Sequence, residues 1–401
     1  MASPKLRFKE FDGNWLAATL ENLAEVERGK FSVRPRNDPR YFGGEMPFVQ
    51  TGDVTGSDVY LKGYSQTLNT DGIRVSKVFP ADTILITIAA NIGDTTITKY
   101  PVACPDSVVA IQPKREKANT IFLKNIIDLQ KDNLDSQATQ NAQKNINLQV
   151  LKPLELIVPS KEEQTKIASF LSAVDEKINQ LTQKHELLSQ YKQGMMQKLF
   201  SQQFRFKADD GSEFGEWQEI ILSDVSDVRD GTHDSPKYVK QGYALITSKN
   251  LKNGKLDFSD INYISKQDYE NISKRSKVDV GDIIFGMIGT IGNPVLLLQD
   301  NFAIKNVALI KQKGELLNVF LIHYLNSNLF DQQVRLLNAG NTQKFLALGQ
   351  IRSLKILKPC LAEQTKIANF LSAIDQKIEV VAQQIQQAKQ WKKGLLQQMF
   401  V

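Results

Sequence analysis

Two short stretches concentrate side chains that bind phosphates and the edges of nucleobases. Lys30–Arg40 (KFSVRPRNDPR) sets four cations against one acid and runs into Tyr41, and its two prolines hold the loop extended. Lys237–Lys255 (KYVKQGYALITSKNLKNGK) carries five cations and no acid. Lysine and arginine neutralise phosphates, whereas arginine, asparagine and glutamine can also bond guanine or adenine edges in bidentate fashion. Taken alone, either stretch also fits solvated surface charge. One in each half of the chain favours an anionic partner.

The residues needed for catalysis are not found in working combinations. Gly29-Lys30 is followed by Phe31 and Gly254-Lys255 by Leu256, so neither is a phosphate-cradling loop ending in Lys and a hydroxyl. Gly286-x-x-Gly289-x-x-Gly292 has the wrong spacing for a dinucleotide site and reads as a tight turn after a buried strand. Ser235-Pro236-Lys237-Tyr238 places Lys where a base-methylating pocket needs a second Pro. Asp106 is followed only by Glu116-Lys117, too far away for a nuclease carboxylate cluster, and there is no Gly-x-Ser-x-Gly elbow. His185, His233 and His323 are scattered, and Cys104 and Cys360 stand alone. No catalytic residue, metal site or disulfide is expected, and both cysteines are expected to be buried small apolar groups.

The elements that would position the basic loops come from a duplication. Glu163–Phe200 and Glu363–Phe400 share 19 of 38 positions at an offset of 200. In the first copy Ile167, Leu171, Val174, Ile178 and Leu181 form one apolar stripe, and in the second Ile367, Leu371, Ile374, Ile378, Val381 and Ile385 repeat it. Each copy is therefore a long helix, ~57 Å at ~1.5 Å rise per residue, and the two stripes should pack as an antiparallel coiled coil. Lys192 and Lys392 interrupt the stripes at the same step, and His185 stands where the second copy has Ile385. Ser160-x-x-Glu163 reads as a capping box for the first helix, with Cys360 in place of the Ser in copy two. The intervening segments hold short β-branched runs, such as Thr83–Ala89 and Asp282–Ile288, with helices expected at Thr120–Leu129 and Leu316–Leu325. The fold class is α+β, with domains at 1–160 and 201–360 and spacer helices at 161–200 and 361–401.

Composition agrees with that division. The 401 residues suffice for two or three domains, and 50 basic against 44 acidic side chains give a modest +6. No apolar run approaches the ~20 residues that span a bilayer, and the start of the chain lacks a signal-peptide core, so a cytoplasmic location is expected.

The duplicated EQxKIAxFLxxxDxKI signature (Glu163–Ile178, Glu363–Ile378) and the matched Phe11-x-Gly13-x-Trp15 and Phe214-Gly215-x-Trp217 resemble the specificity subunit of a type I restriction-modification enzyme. Arg34–Gly44 followed by Pro47-Phe48-Val49 is similar to the family's Pro-rich loop, and Asp230–Tyr238 to its DGTH-type loop with Ser235 where Thr is commoner. Gly281-Asp282-Ile283 and Gly289-Thr290-Ile291-Gly292 resemble the strand and turn that follow; the first repeat departs there, with Ala81-Asp82 and Asn91-Ile92-Gly93. The resemblance implies two target-recognition domains, each reading one half of a split asymmetric site on double-stranded DNA, held apart by the helices. It implies two methyltransferase (M) subunits docked on this frame and restriction (R) motor-nuclease subunits beyond them. S-adenosylmethionine, ATP and Mg would belong to those partners and not to this chain. On this reading Arg34, Arg36, Asn37, Arg40, Thr232, His233, Ser235, Lys237, Tyr238, Lys249 and Asn250 face DNA, with Gln143, Lys144, Gln343 and Lys344 as recurring polar pairs. His233 could equally be a hydrogen-bonded turn residue and Tyr238 a packing aromatic. A non-catalytic scaffold that grips polypeptide, or an enzyme using Asp106 or Glu116, stays open from sequence alone.

Overall fold

The computed structural model describes residues 4–89, 91–139, 145–288, 291–337 and 345–400. The chain divides into two compact units, Met1–Thr182 with Gln383–Val401, and Gln183–Ala382. Each unit thus holds one α+β segment and part of each long helix.

In the first unit a four-stranded antiparallel sheet runs in the order Ala24–Arg28, Val108–Pro113, Ile84–Thr87, Thr95–Ile97. Ile84–Thr87 is buried throughout because successive side chains enter different cores. Ile84 and Ile86 join Phe122, Leu123, Ile126 and the long helix. Leu85 joins Phe79 and Val102 of a second sheet, with Val49 just past one of its strands. That sheet runs Gln66–Leu68, Phe42–Phe48, Val102–Ala103, Val78–Phe79. A ribbon of Leu16–Thr19 against Glu155–Val158 leads into the first long helix.

The second unit repeats this plan. Its first sheet runs Ser226–Asp230, Val307–Gln312, Ile283–Gly286, Gly292–Leu296, and Gln218–Ile221 pairs with Lys355–Lys358. Ile283 and Phe285 enter one core and Ile284 the other. The expected helices are present at Thr120–Asp128, where the Asn119 side chain accepts from two backbone N–H groups, and at Asn318–Tyr324.

The long helices span Lys161–Phe200 and Leu361–Met399. Within the first unit Ile167, Leu171, Val174 and Ile178 share a core with Leu395, Met399 and Phe400, so the two helix segments pack antiparallel. Within the second, Ile367 and Leu371 share one with Met196, Leu199 and Phe200. Leu181, Ile374 and Val381 are buried, whereas Ile378, Ile385 and His185 are half-buried. The lysines that interrupt the stripes are also explained: Lys392 pairs with Asp175 and Lys192 with Asp375, each at 2.5 Å.

Two local expectations need correction. Ser160 Oγ accepts the Glu163 N–H at 3.3 Å, but the Glu163 carboxylate turns to Arg7 and Trp15, so the capping box is only half made. Cys104 is buried, which pushes its thiol up to about 12, but Cys360 at the start of the second helix is exposed. After Ile283–Gly286 the strand Gly292–Leu296 begins on Gly292 in a left-handed conformation (φ +94°); Gly289 and Thr290 of the expected turn lie outside the described residues.

Candidate nucleic-acid interface

The repeated signature builds the platform for the loops. Glu163 and Glu363 are both buried. Arg7 donates to Glu163 from Nε and Nη2 at 2.8 and 2.7 Å, and Trp15 Nε1 at 3.3 Å. Arg205 donates to Glu363 at 3.0 and 2.7 Å, and Trp217 Nε1 at 3.0 Å. The next residue is equally occupied. Gln164 donates to the Lys117 and Pro159 carbonyls and accepts from the Asn119 N–H. Gln364 donates to the Glu315 and Pro359 carbonyls and accepts from the Leu317 N–H. A buried carboxylate persists only with such partners, so the EQ pair is a clamp between each helix start, the chain's preceding arm and the recognition fold.

In the first unit Arg34, Arg36, Asn37 and Arg40 all lie exposed on one loop. Their charges are not equally available. Arg36 is paired with Asp106 at 2.8 Å, and Arg40 with Asp38 at 2.6 Å; the Arg40 guanidinium holds the Asp38 carboxyl below its usual range. Arg34 donates to the Phe31 and Val33 carbonyls and has no carboxylate partner among the described residues. A phosphate can therefore bind Arg34 without displacing an acid.

In the second unit three segments meet at Asn306. His233 Nδ1 lies 2.8 Å from Asn306 Oδ1 and its Nε2 2.8 Å from Asp230 Oδ2. Ser248 donates to the Asn306 carbonyl at 3.3 Å, drawing in the Ser248–Asn250 turn. Lys305 Nζ donates to Ser235 at 2.8 Å, and Thr232 Oγ1 accepts from the Asp234 N–H. Lys237 and Tyr238 are exposed, and Lys237 has no acidic partner among the described residues. Lys249 is exposed but paired with Asp260 at 3.0 Å.

Asn250 is misassigned by sequence. It is 2% exposed, donates to the Asp257 and Asp260 carbonyls, and accepts from the Thr247 N–H and hydroxyl. Its amide braces a turn and faces no partner. Conversely, sequence does not single out Lys240, an exposed cation inside the basic stretch, or half-buried Lys305, which holds Ser235 of the loop. Gln143, Lys144, Gln343 and Lys344 lie outside the described residues. Among the described residues no group of three or more His, Cys, Asp or Glu is placed to hold a metal ion, and no helix is long and apolar enough to cross a membrane.

A model of the type I restriction modification DNA specificity domain matches the chain twice, over residues 13–189 and 215–390. The chain belongs to this family. The MjaVIII type I restriction enzyme specificity subunit of Methanocaldococcus jannaschii is 25% identical, covering 89% of this chain and 88% of the relative. The putative MjaX specificity subunit of the same organism is 25% identical over 98% and 94%. The crystal structure of a type I restriction-modification system S subunit from M. genitalium superposes with a TM-score of 0.65 at 17% identity, covering 100% and 99% of the two chains. The protein is accordingly a non-catalytic, sequence-specific DNA-recognition subunit of a type I restriction-modification complex, and each of the two matched ranges takes in one α+β segment and most of the long helix that follows it.

Proposed function

We propose that each unit of this specificity subunit reads one half of a split, asymmetric site, that the long helices set the gap between halves, and that the complex contains two M subunits with R subunits added for cleavage. S-adenosylmethionine, ATP and magnesium are held by those partners, and the complex works in the cytoplasm, where its DNA is. The observation that carries the reading is the Glu–Arg–Trp clamp built once in each of two units whose basic loops differ in composition. A frame kept constant under loops that vary is what two readers of different sequences need. Arg34 and Lys237 then supply phosphate contacts, and the neighbouring polar side chains face base edges.

The test is to map methylated adenines in cells that express the M subunits with the natural chain, and with a chain carrying seven extra residues in both long helices. The expected result is two unchanged half-sites separated by a longer gap. An unchanged gap, or methylation indifferent to this chain, overturns the reading.

A further inference from the structure

The DNA-facing loop of the second unit is tied down by a histidine that has no free nitrogen. His233 stands 57% exposed in its side chain, yet Nδ1 faces the Asn306 oxygen and Nε2 faces Asp230, each at 2.8 Å. Asp230 is itself buried and also pairs with Arg275 from the helix Lys266–Ser276. Asn306 sits in the left-handed region (φ +55°), so its backbone is fixed by the turn between Phe302–Ile304 and Val307–Gln312.

We propose that His233 is a positioning residue and not a base reader: donating from both ring nitrogens, it ties the loop Thr232–Tyr238 to the end of a core strand and to the Asn306 turn, and the fit of that loop to its half-site depends on the tie. This rests on the half-site reading above. An imidazole that donates on both sides must be protonated. The Asn306 oxygen first, then Asp230, raise the proton affinity of the ring above the ordinary histidine value of 6.5, against burial and the like charge of Arg275. These are the groups that face the ring, from the strand, the turn and the helix; Ser248 reaches only the Asn306 carbonyl. Because the folded value is raised, both donor bonds are made below the ordinary value, and one of the two is lost as pH rises through the raised one, since the neutral ring keeps a single N–H. The first unit has no such group on its loop, so recognition of one half-site alone should depend on pH.

The experiment uses the assembled methyltransferase complex and fluorescence anisotropy from pH 6 to 9. The probes are the target duplex found by methylation mapping and duplexes with one half-site scrambled at a time. The expected result is an affinity for the target that falls ~5-fold or more as pH rises, with the slope abolished by scrambling the second half-site but not the first. His233→Phe should flatten the profile. Asn306→Gly, which suits the left-handed backbone while removing the acceptor, should move the midpoint to lower pH. A wild-type complex with no slope, or a His233→Phe complex that keeps it, overturns the proposal. Failure of the wild-type complex to bind any duplex at low salt would overturn the half-site reading and this proposal with it.

Discussion

Gly29 and Gly231 occupy the same rung of the same sheet in the two units: each donates its N–H at 2.9 Å to the first residue of the central strand, Val108 or Val307. A side chain at either would run into the backbone of a facing turn, Cys104–Pro105 or Ile304–Lys305. Two residues further on the units part. Phe31 is buried among Tyr41, Phe42 and Phe48, with its ring centroid 5.0 Å from that of Phe48. His233 is an exposed ring between two polar acceptors. Duplication has kept the backbone constraint and exchanged the anchor, apolar burial in one loop and directional polar bonds in the other. The second sheet differs too: Val78–Phe79 forms an edge of it in the first unit, whereas in the second unit it runs Tyr238–Val239, Asn262–Ile264, Tyr243–Ile246, Phe302–Ile304. What is shared is therefore close backbone packing and the buried clamp, and what varies is whatever faces away from them.

The shared part makes the largest prediction. Glu163→Ala and Glu363→Ala each remove a buried carboxylate and strand a guanidinium and an indole N–H, at a cost of about 4 kcal/mol. Since the two clamps have the same partners, the losses measured by urea unfolding are expected to be equal; a clear inequality would break the claim of a common frame. The varied part predicts unequal effects. Phe31→Ala empties a ring-filled core and is expected to cost about 3 kcal/mol. His233→Ala removes hydrogen bonds at a mostly exposed site and is expected to cost about 1 kcal/mol at acid pH and less as pH rises. Denaturation midpoints at pH 6 and 8.5 separate the two: the Phe31 deficit should be constant and the His233 deficit should shrink.

Much of this architecture was legible in the sequence because it rests on local pattern. The helix stripes follow from periodicity, and the duplication from identity at a fixed offset. The clamp was visible only as conserved spelling between the copies, since Arg7 and Glu163 lie 156 residues apart and no local pattern announces their contact. The basic loops looked more cationic than they are. Asp106 and Asp260, which neutralise Arg36 and Lys249, fall outside the stretches in which charge was counted. Asn250 failed for another reason: a turn-bracing asparagine and a base-reading one have the same composition around them. Thr247-x-x-Asn250, with the side chain bonding back to the Thr247 N–H, was the available signal. Glu163 shows the converse, because its apolar-stripe neighbours and three-residue spacing from Ser160 suited a cap, yet a half-buried cation and a buried indole competed successfully for its oxygens.

The smallest expected effect tests how far the equivalence of the copies extends along the helices. Asp175 is 17% exposed in its side chain, and its Oδ2 is buried without a hydrogen-bond partner among the described residues; Asp375 is 44% exposed. Lys392→Met therefore leaves an acid in a drier place than Lys192→Met does. The first is expected to cost about 2 kcal/mol and the second under about 1 kcal/mol, read from unfolding midpoints at low salt. Exchanging the charges, Lys392→Asp with Asp175→Lys, should recover part of the loss. If both Met variants instead stabilise the fold, the pairs are held for something other than strength. Sliding either helix segment by one heptad would set a lysine against an apolar position, so the remaining role would be to fix the antiparallel register. The double Met variant would then be more stable and less uniform, with methylated sites at more than one gap length.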